Sequence, residues 1–284
     1  MAETAYQIQY RQEFVAAFED RASVLRACMT PESVVKGNQA TFLVAGAGTD
    51  IAVNRGTNGL IPSRTDSLTQ VTATLNEWHD LRRRTRFNLF ASQGDGRRIM
   101  QMNSMAVLNR KIDDLGIAAL DTATNDTGAS VTASLDLVIK AQTILGNNFV
   151  DLSDEDNLFA LVTPAFRGYM MQNTEFASGD FVEVKPFNGP ARRFWRWNGF
   201  NWITHPRLTG SVGAGGTGSS EACYFFHRDS IGCGVDKSGL DAEVGYDGEQ
   251  DYSWARTSIF MGAVVLQNSG IVQVVHNGSA YAAS

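Results

Sequence analysis

Met102, Met105, Leu108, Ile112, Leu115 and Ala119 recur at three- and four-residue steps within SQGDGRRIMQMNSMAVLNRKIDDLGIAALDTATN, the stretch from Ser92 to Asn125. That spacing predicts one apolar stripe along a helix. Ser92 followed by Asp95 has the form of a capping box, and Asn125 with Gly128 supplies a stop. Such a helix is roughly 40 Å long, as long as a compact body of this size is wide. Arg110 and Lys111 stand three residues before Asp113 and Asp114. Exposed pairs at that spacing contribute only about 0.2 to 0.5 kcal/mol each, so they define a wet face more than they stabilise it.

Before this helix the pattern changes twice. Phe14, Ala17, Phe18, Ala22 and Leu25 share one side of an expected helix over Tyr6 to Met29, ending before Thr30 and Pro31. From Val34 to Phe90, period-two alternation around Thr41 to Val44 and Val71 to Leu75 predicts paired strands. Between them AGAGTDIAVNRGTNGLIPSRTD carries four glycines and too few apolar residues to form a core. A polar hairpin tip of that kind either stays in solvent or lies on a neighbour. In the second case Asp50, Arg55, Arg64 and Asp66 are rim contacts. Arg82, Arg83, Arg84 and Arg86 follow, with Arg97 and Arg98 at the helix start. In an acidic chain this run is expected to meet carboxylates of a partner before nucleic acid.

After it, Ala133 to Leu145 predicts a helix, Leu158 to Thr163 a buried strand, and Pro164 to Asn173 a helix with proline first. Asn198 and Gly199 between two aromatic runs predict a tight hairpin. Its Trp195, Trp197 and Trp202 either pack on the parent body or form a carbohydrate-stacking platform. LTGSVGAGGTGSS, Leu208 to Ser220, contains a literal G-x-G-x-x-G that opens no helix, so composition predicts a flexible loop and no dinucleotide site. Asp236 to Asp251 is acidic without the ligand order of a calcium loop. Ser258 to Gln267 and Ile271 to His276 read as two covered strands about a turn at Asn268 to Gly270.

Composition narrows the function. The 284 residues are 43% hydrophobic, enough for a substantial core, and 24 basic against 30 acidic side chains give −6. A protein that grips a phosphate backbone needs the opposite sign. Cys28, Cys223 and Cys233 have neither disulfide nor zinc spacing, which points to reduced thiols. MAETAYQIQY lacks the features of a signal peptide, and no run is long enough to span a bilayer, so no membrane partner is expected. The four histidines are scattered; no H-E-x-x-H, G-x-S-x-G or Walker loop is present, and the His227-Arg228-Asp229 triplet lacks the rest of a kinase loop. No catalytic residue, cofactor or metal is expected.

The order of parts, with LNRKIDDLGIAAL, FALVTPAF, YFFHRDSIGCGV and MGAVVLQNSGIVQVV, resembles the major capsid protein of tailed bacteriophages of the Hong Kong 97 type over nearly the full length. The resemblance implies an α+β fold. It divides the chain into an N-terminal arm (1–32), an extended-loop hairpin (33–82) and a peripheral domain with the spine helix (83–129). An axial domain (130–235) and closing strands of the peripheral domain (236–284) complete it. It implies pentamers and hexamers of an icosahedral shell around double-stranded DNA, which an acidic wall contacts weakly and non-specifically. The subunit contacts then include Phe14 and Phe18 of the arm, Asp50, Arg55, Arg64 and Asp66 of the loop, and Arg82, Arg83, Arg84 and Arg86. A separate scaffolding protein and a portal are expected partners, since the chain begins close to the arm helix, and a decoration protein is compatible. The location is the virion capsid, after synthesis in the host cytoplasm. Some relatives cross-link through a lysine near the loop tip; Gly46 to Asp66 contains none, so no covalent mesh is expected. The competing readings are an encapsulin-like compartment shell, a carbohydrate-binding module and an α/β enzyme.

Overall fold

The computed structural model describes residues 22–34, 37–46, 51–63, 67–91, 96–173, 195–237 and 239–282. In chain order, a 3-10 turn at Leu25–Cys28 leads into β1 (Thr30–Val34), β2 (Gln39–Gly46), β3 (Ser67–Thr74) and β4 (Asn76–Thr85). Helices α1 (Arg86–Ala91) and α2 (Gly96–Leu120) follow, then β5 (Val131–Thr132), α3 (Leu135–Asn147), β6 (Leu158–Val162) and α4 (Pro164–Met170). The remaining strands are β7 (Trp195–Trp197), β8 (Phe200–Thr204), β9 (Glu221–His227), β10 (Ile231–Asp236), β11 (Asp241–Asp247), β12 (Tyr252–Val265) and β13 (Ile271–Asn277).

These strands make two bodies and a projection. A five-stranded sheet runs β1-β10-β12-β11, with β4 also paired to β12; a six-stranded sheet runs β5-β13-β9-β6-β8-β7; β2 and β3 pair only with each other. The last two strands therefore do not form a hairpin. The turn at Asn268–Gly270 carries the chain from β12 in one sheet to β13 in the other.

One core fills the space between α2 and the two sheets, joining Leu108, Ile112 and Leu120 to Ile259 and Met261, to Leu25 and Cys28, and to Phe159, Leu161 and Phe226. A second lies on the far side of the six-stranded sheet, where Val138, Ala141 and Leu145 of α3 and Phe166 and Met170 of α4 meet Ala160, Val162, Phe225, Val272 and Val274. Because side chains alternate across a strand, β6 sends Phe159 and Leu161 to the first core and Ala160 and Val162 to the second. This accounts for its unbroken burial, and each such Leu, Ile or Phe contributes about 1.5 to 3 kcal/mol. Thr163 caps α4 by accepting the Phe166 N–H at 3.2 Å ahead of Pro164 in the first turn.

Several expectations change. The long helix stops at Leu120, short of Asn125. The Thr122 hydroxyl bonds the Ala119 carbonyl at 2.7 Å, and the Thr122 and Ala123 N–H groups fold back on Ala119 and Leu120. Asn125 instead ties the chain to the Asn268 and Ile271 carbonyls. The Ser92 and Asp95 caps lie outside the described residues. On α2, Met105 of the expected stripe is exposed, whereas Ser104 and Asp113 are buried. Nor is the charged face simply wet: the Lys111 ammonium sits 4.0 Å from the Trp78 ring centre, and Arg207 pairs with Asp114 at 2.8 Å.

The arm helix expected over Tyr6 to Met29 falls largely outside the described residues. Its end, Leu25–Cys28, is a 3-10 turn, and Pro31 sits in edge strand β1, where a missing N–H is tolerated. The paired hairpin is β2–β3 alone, since β4 joins β12. The β7–β8 turn is as expected, with Asn198 and Gly199 at φ 50° and 75°.

The segment from Leu208 to Ser220 is a folded loop and not the flexible one that composition predicts. Leu208 and Ser211 are buried, and its backbone groups bond one another, as in Gly216 N–H to Ser211 O at 2.8 Å. Among the described residues, no helix is long and apolar enough to cross a membrane.

Candidate functional site

The β2–β3 hairpin is about 27 Å long if eight residues each rise about 3.3 Å. Its root is gripped by its own chain. Ala40, Phe42 and Ala73 form a small core with Val34 and Leu75. They approach the five-stranded sheet at Gly232 and Gly234, where an added Cβ would lie 2.9 Å from the Phe42 ring and 2.5 Å from the Ala40 Cβ. The alternating glycines of IGCGV are thus seats for the hairpin, a role that the sequence alone did not disclose. Further out the contacts end. Every described residue from Ile51 to Ser63 is exposed. Leu43, Ile51, Leu60 and Ile61 are 73%, 79%, 74% and 66% accessible, an amount of apolar surface that an isolated loop gains nothing by presenting.

The start of the described chain is fixed by a different device. Asp113, on the middle of α2, accepts hydrogen bonds from the Ser23 hydroxyl (2.6 Å) and from the backbone N–H groups of Val24 (3.1 Å) and Leu25 (3.0 Å). A side chain of one helix thereby satisfies the free donors of another turn. His205 stands 3.5 Å away, and both residues are buried. Because His205 Nδ1 accepts the Arg207 N–H, its Nε2 carries the proton and faces Asp113. Burial alone would raise the Asp113 pKa, but the hydrogen bonds from His205, Ser23, Leu25 and Val24 outweigh it and hold the carboxyl below its ordinary value. Gly116 lets the turn come close, its Cβ position being 3.2 Å from Leu25 and 3.3 Å from Met29. The i,i+3 charge pattern gave no sign that Asp113 points inward.

Of the residues expected at subunit contacts, Phe14, Phe18, Asp50, Arg64 and Asp66 lie outside the described residues. Arg55 is exposed on the loop. Arg82, Arg83 and Arg84 lie on β4 and Arg86 begins α1, so the structure strings them along one edge of the five-stranded sheet. Arg82 Nε bonds Asp80 at 3.0 Å, Arg83 lies over the Tyr252 ring at 4.9 Å, and Arg86 donates its backbone N–H to Asp251. Arg83 and Arg86 remain exposed and Arg82 and Arg84 half-buried, which leaves cationic surface at this edge.

Elsewhere the chemistry is closed. Among the described residues no cluster of His, Cys, Asp and Glu has the arrangement of a metal centre. Cys223, His276 and Glu221 bring a thiol, an imidazole and a carboxyl together, with Sγ 3.8 Å from Nδ1 and Nε2 3.2 Å from Glu221 Oε2. All are buried, and burial pushes the thiol up to about 12, the reverse of what a nucleophile needs. Trp197 and Trp202 are buried as well, Trp202 with its Nε1 on the Trp197 carbonyl, so neither belongs to a sugar-stacking surface. What the described surface offers is a projection with bare apolar side chains and a sheet edge with arginines.

Residues 2–277 match the family described as phage capsid protein. The chain belongs to that family. It is a structural protein of a virion capsid and not an enzyme, and it works by assembling with copies of itself into a shell. Solved structures show the same fold at low identity. One, of Mycobacterium phage Che8, has a TM-score of 0.75 at 13% identity over 98% of this chain and 99% of that one. The capsid of an empty GTA particle gives 0.70 at 13%, covering 97% of each chain. The capsid of cyanophage P-SCSP1u gives 0.68 at 12%, covering 96% and 93%. Among curated proteins there is no match. The expected α+β capsid fold of Hong Kong 97 type is the fold observed.

Proposed function

We propose that this phage capsid family member is the major capsid protein, building pentamers and hexamers of an icosahedral shell around double-stranded DNA. The observation that carries this is the β2–β3 projection. Its root is packed and its tip exposes Ile51, Leu60 and Ile61 beyond any core of its own subunit. A heterologous contact of that kind closes into rings when the rotation fits. In this reading Phe14 and Phe18 of the arm, Asp50, Arg55, Arg64 and Asp66 of the loop, and Arg82, Arg83, Arg84 and Arg86 of the sheet edge are subunit contacts. Residues 1–32 serve as the arm, 33–82 as the extended loop, 83–129 and 236–284 as the peripheral domain and 130–235 as the axial domain. Within this reading, the pairing of β10 with β12 and of β13 with β9 supports moving the boundaries so that β10 counts with the peripheral domain and β13 with the axial one.

A separate scaffolding protein, a portal and in some shells a decoration protein are the partners this assembly calls for, with synthesis in the host cytoplasm. The net charge of −6 suits a wall that holds DNA without trapping it. The family match favours a genome container over an encapsulin-like compartment. Electron microscopy of the expressed protein tests the proposal: closed particles holding DNA support it. A lone folded subunit under every condition tried overturns it. Lacking lysine between Gly46 and Asp66, shells that are boiled in detergent should release single subunits; ladders of joined subunits would refute that part.

A further inference from the structure

The six-stranded body contains a buried acid with no lysine or arginine beside it among the described residues. Glu221, at the start of β9, is 3% exposed, and its Oε2 has no well-aligned hydrogen-bond partner. Two polar groups face the carboxyl: His276 Nε2, 3.2 Å from Oε2 on the neighbouring strand β13, and the Thr163 hydroxyl, which hydrogen-bonds it. The other ring nitrogen fixes the protonation. His276 Nδ1 lies 3.2 Å from the Glu221 main-chain carbonyl, which can only accept, so Nδ1 carries a hydrogen. In a neutral ring the lone pair is then on Nε2, pointing toward Glu221 Oε2 and, at 3.2 Å, the Thr163 hydroxyl. An ionised carboxylate facing a lone pair in a dry site is repelled, whereas a carboxylic acid donates to it.

We infer that Glu221 and His276 are a buried proton-binding site: between them they hold one proton, which leaves the pair neutral overall and lets β9 lie against β13 beneath the start of α4. The surroundings supply no competing charge. Thr163, between β6 and α4, faces both groups, Phe166 of α4 sets its ring edgewise on the imidazole at 5.0 Å, and Cys223 of β9 contributes a thiol near Nδ1. Ala165 and Gly278 wall off the carboxyl, a Cβ on Gly278 lying 2.7 Å from Glu221 Cδ. No lysine or arginine among the described residues enters the environment of either group. Burial, the largest influence on both, raises the Glu221 carboxyl and pushes His276 down to about 4, in keeping with an acid and a neutral ring.

A carboxyl whose folded pKa is raised stabilises fully below its unfolded value, and the effect is lost as pH rises through the folded value. Glu221→Gln keeps a donor toward Nε2 but cannot ionise. Equilibrium denaturation of the two proteins from pH 5 upward should therefore diverge. The unfolding constant of the natural protein should rise relative to the variant by up to tenfold per pH unit until Glu221 ionises. Parallel curves overturn the proposal. Should the variant fail to fold, infrared spectra of natural shells with 13C-labelled glutamate decide: a carboxylic-acid carbonyl band at neutral pH supports the shared proton, and carboxylate bands alone overturn it.

Discussion

Two stretches punctuated by glycine, Gly46 to Asp66 and Leu208 to Ser220, end in opposite conditions. On the second, Cβ atoms at Gly210, Gly213 and Gly216 would fall 1.8, 2.2 and 2.3 Å from backbone oxygens of Ser220, Pro206 and Gly210. On the first, Gly46 and Gly59 face open space. The second loop also has outside ties, with the Thr209 hydroxyl bonded to Asp121 at 2.6 Å and the Gly278 N–H to Gly218 O at 2.7 Å. Glycine in one case allows the backbone to fold onto itself, and in the other it faces open space, Gly59 serving only its own positive-φ turn. What orders a segment is where its polar groups and apolar side chains find partners, not how much glycine it contains.

The turn at Ser23–Cys28 gives the sharpest test, because one carboxylate holds it. Asp113→Ala leaves buried N–H groups and His205 without their acceptor and should cost about 3 to 5 kcal/mol in chemical denaturation. Since the Asp113 pKa is lowered, its contribution is present above the ordinary carboxylate range and lost as pH falls through the lowered value. Asp113→Asn should flatten that acid limb; an unchanged limb would place the acid sensitivity elsewhere. Next in size, Gly210→Ala meets both a backbone clash and a φ of +81°, so a loss of about 3 kcal/mol is expected in thermal unfolding. Gly59→Ala, at φ +75° in open space, should cost about 1 kcal/mol. If these two glycine variants behave alike, the contrast between the loops fails. Smallest in its effect on subunit stability is the triple change Ile51→Ser, Leu60→Ser and Ile61→Ser, expected near zero because nothing in the subunit covers those side chains. The same variant should yield no closed shells under the microscope. Normal shells would remove the tip from the assembly contact.

The apolar spacing of Leu108, Ile112 and Ala119, the run Leu158 to Val162, the Thr163-Pro164 helix start and the Asn198-Gly199 turn each specify local structure, because the forces involved act within a few residues. These elements and their order were legible from the chain, as was the capsid family they resemble. The same holds for the unbacked loop, where a shortage of apolar residues is itself the signal. Pairing over long distances was not legible. That β12 and β13 part into different sheets, that Gly232 and Gly234 seat a hairpin, that Asp113 turns inward to hold Ser23, and that Glu221 is buried opposite His276 all depend on residues some 26 to 200 positions apart in sequence. A glycine, an aspartate or a glutamate looks the same in the chain whether water or another strand lies beside it. Only the packed structure fixes that neighbour, and with it the charge, burial and role of the residue.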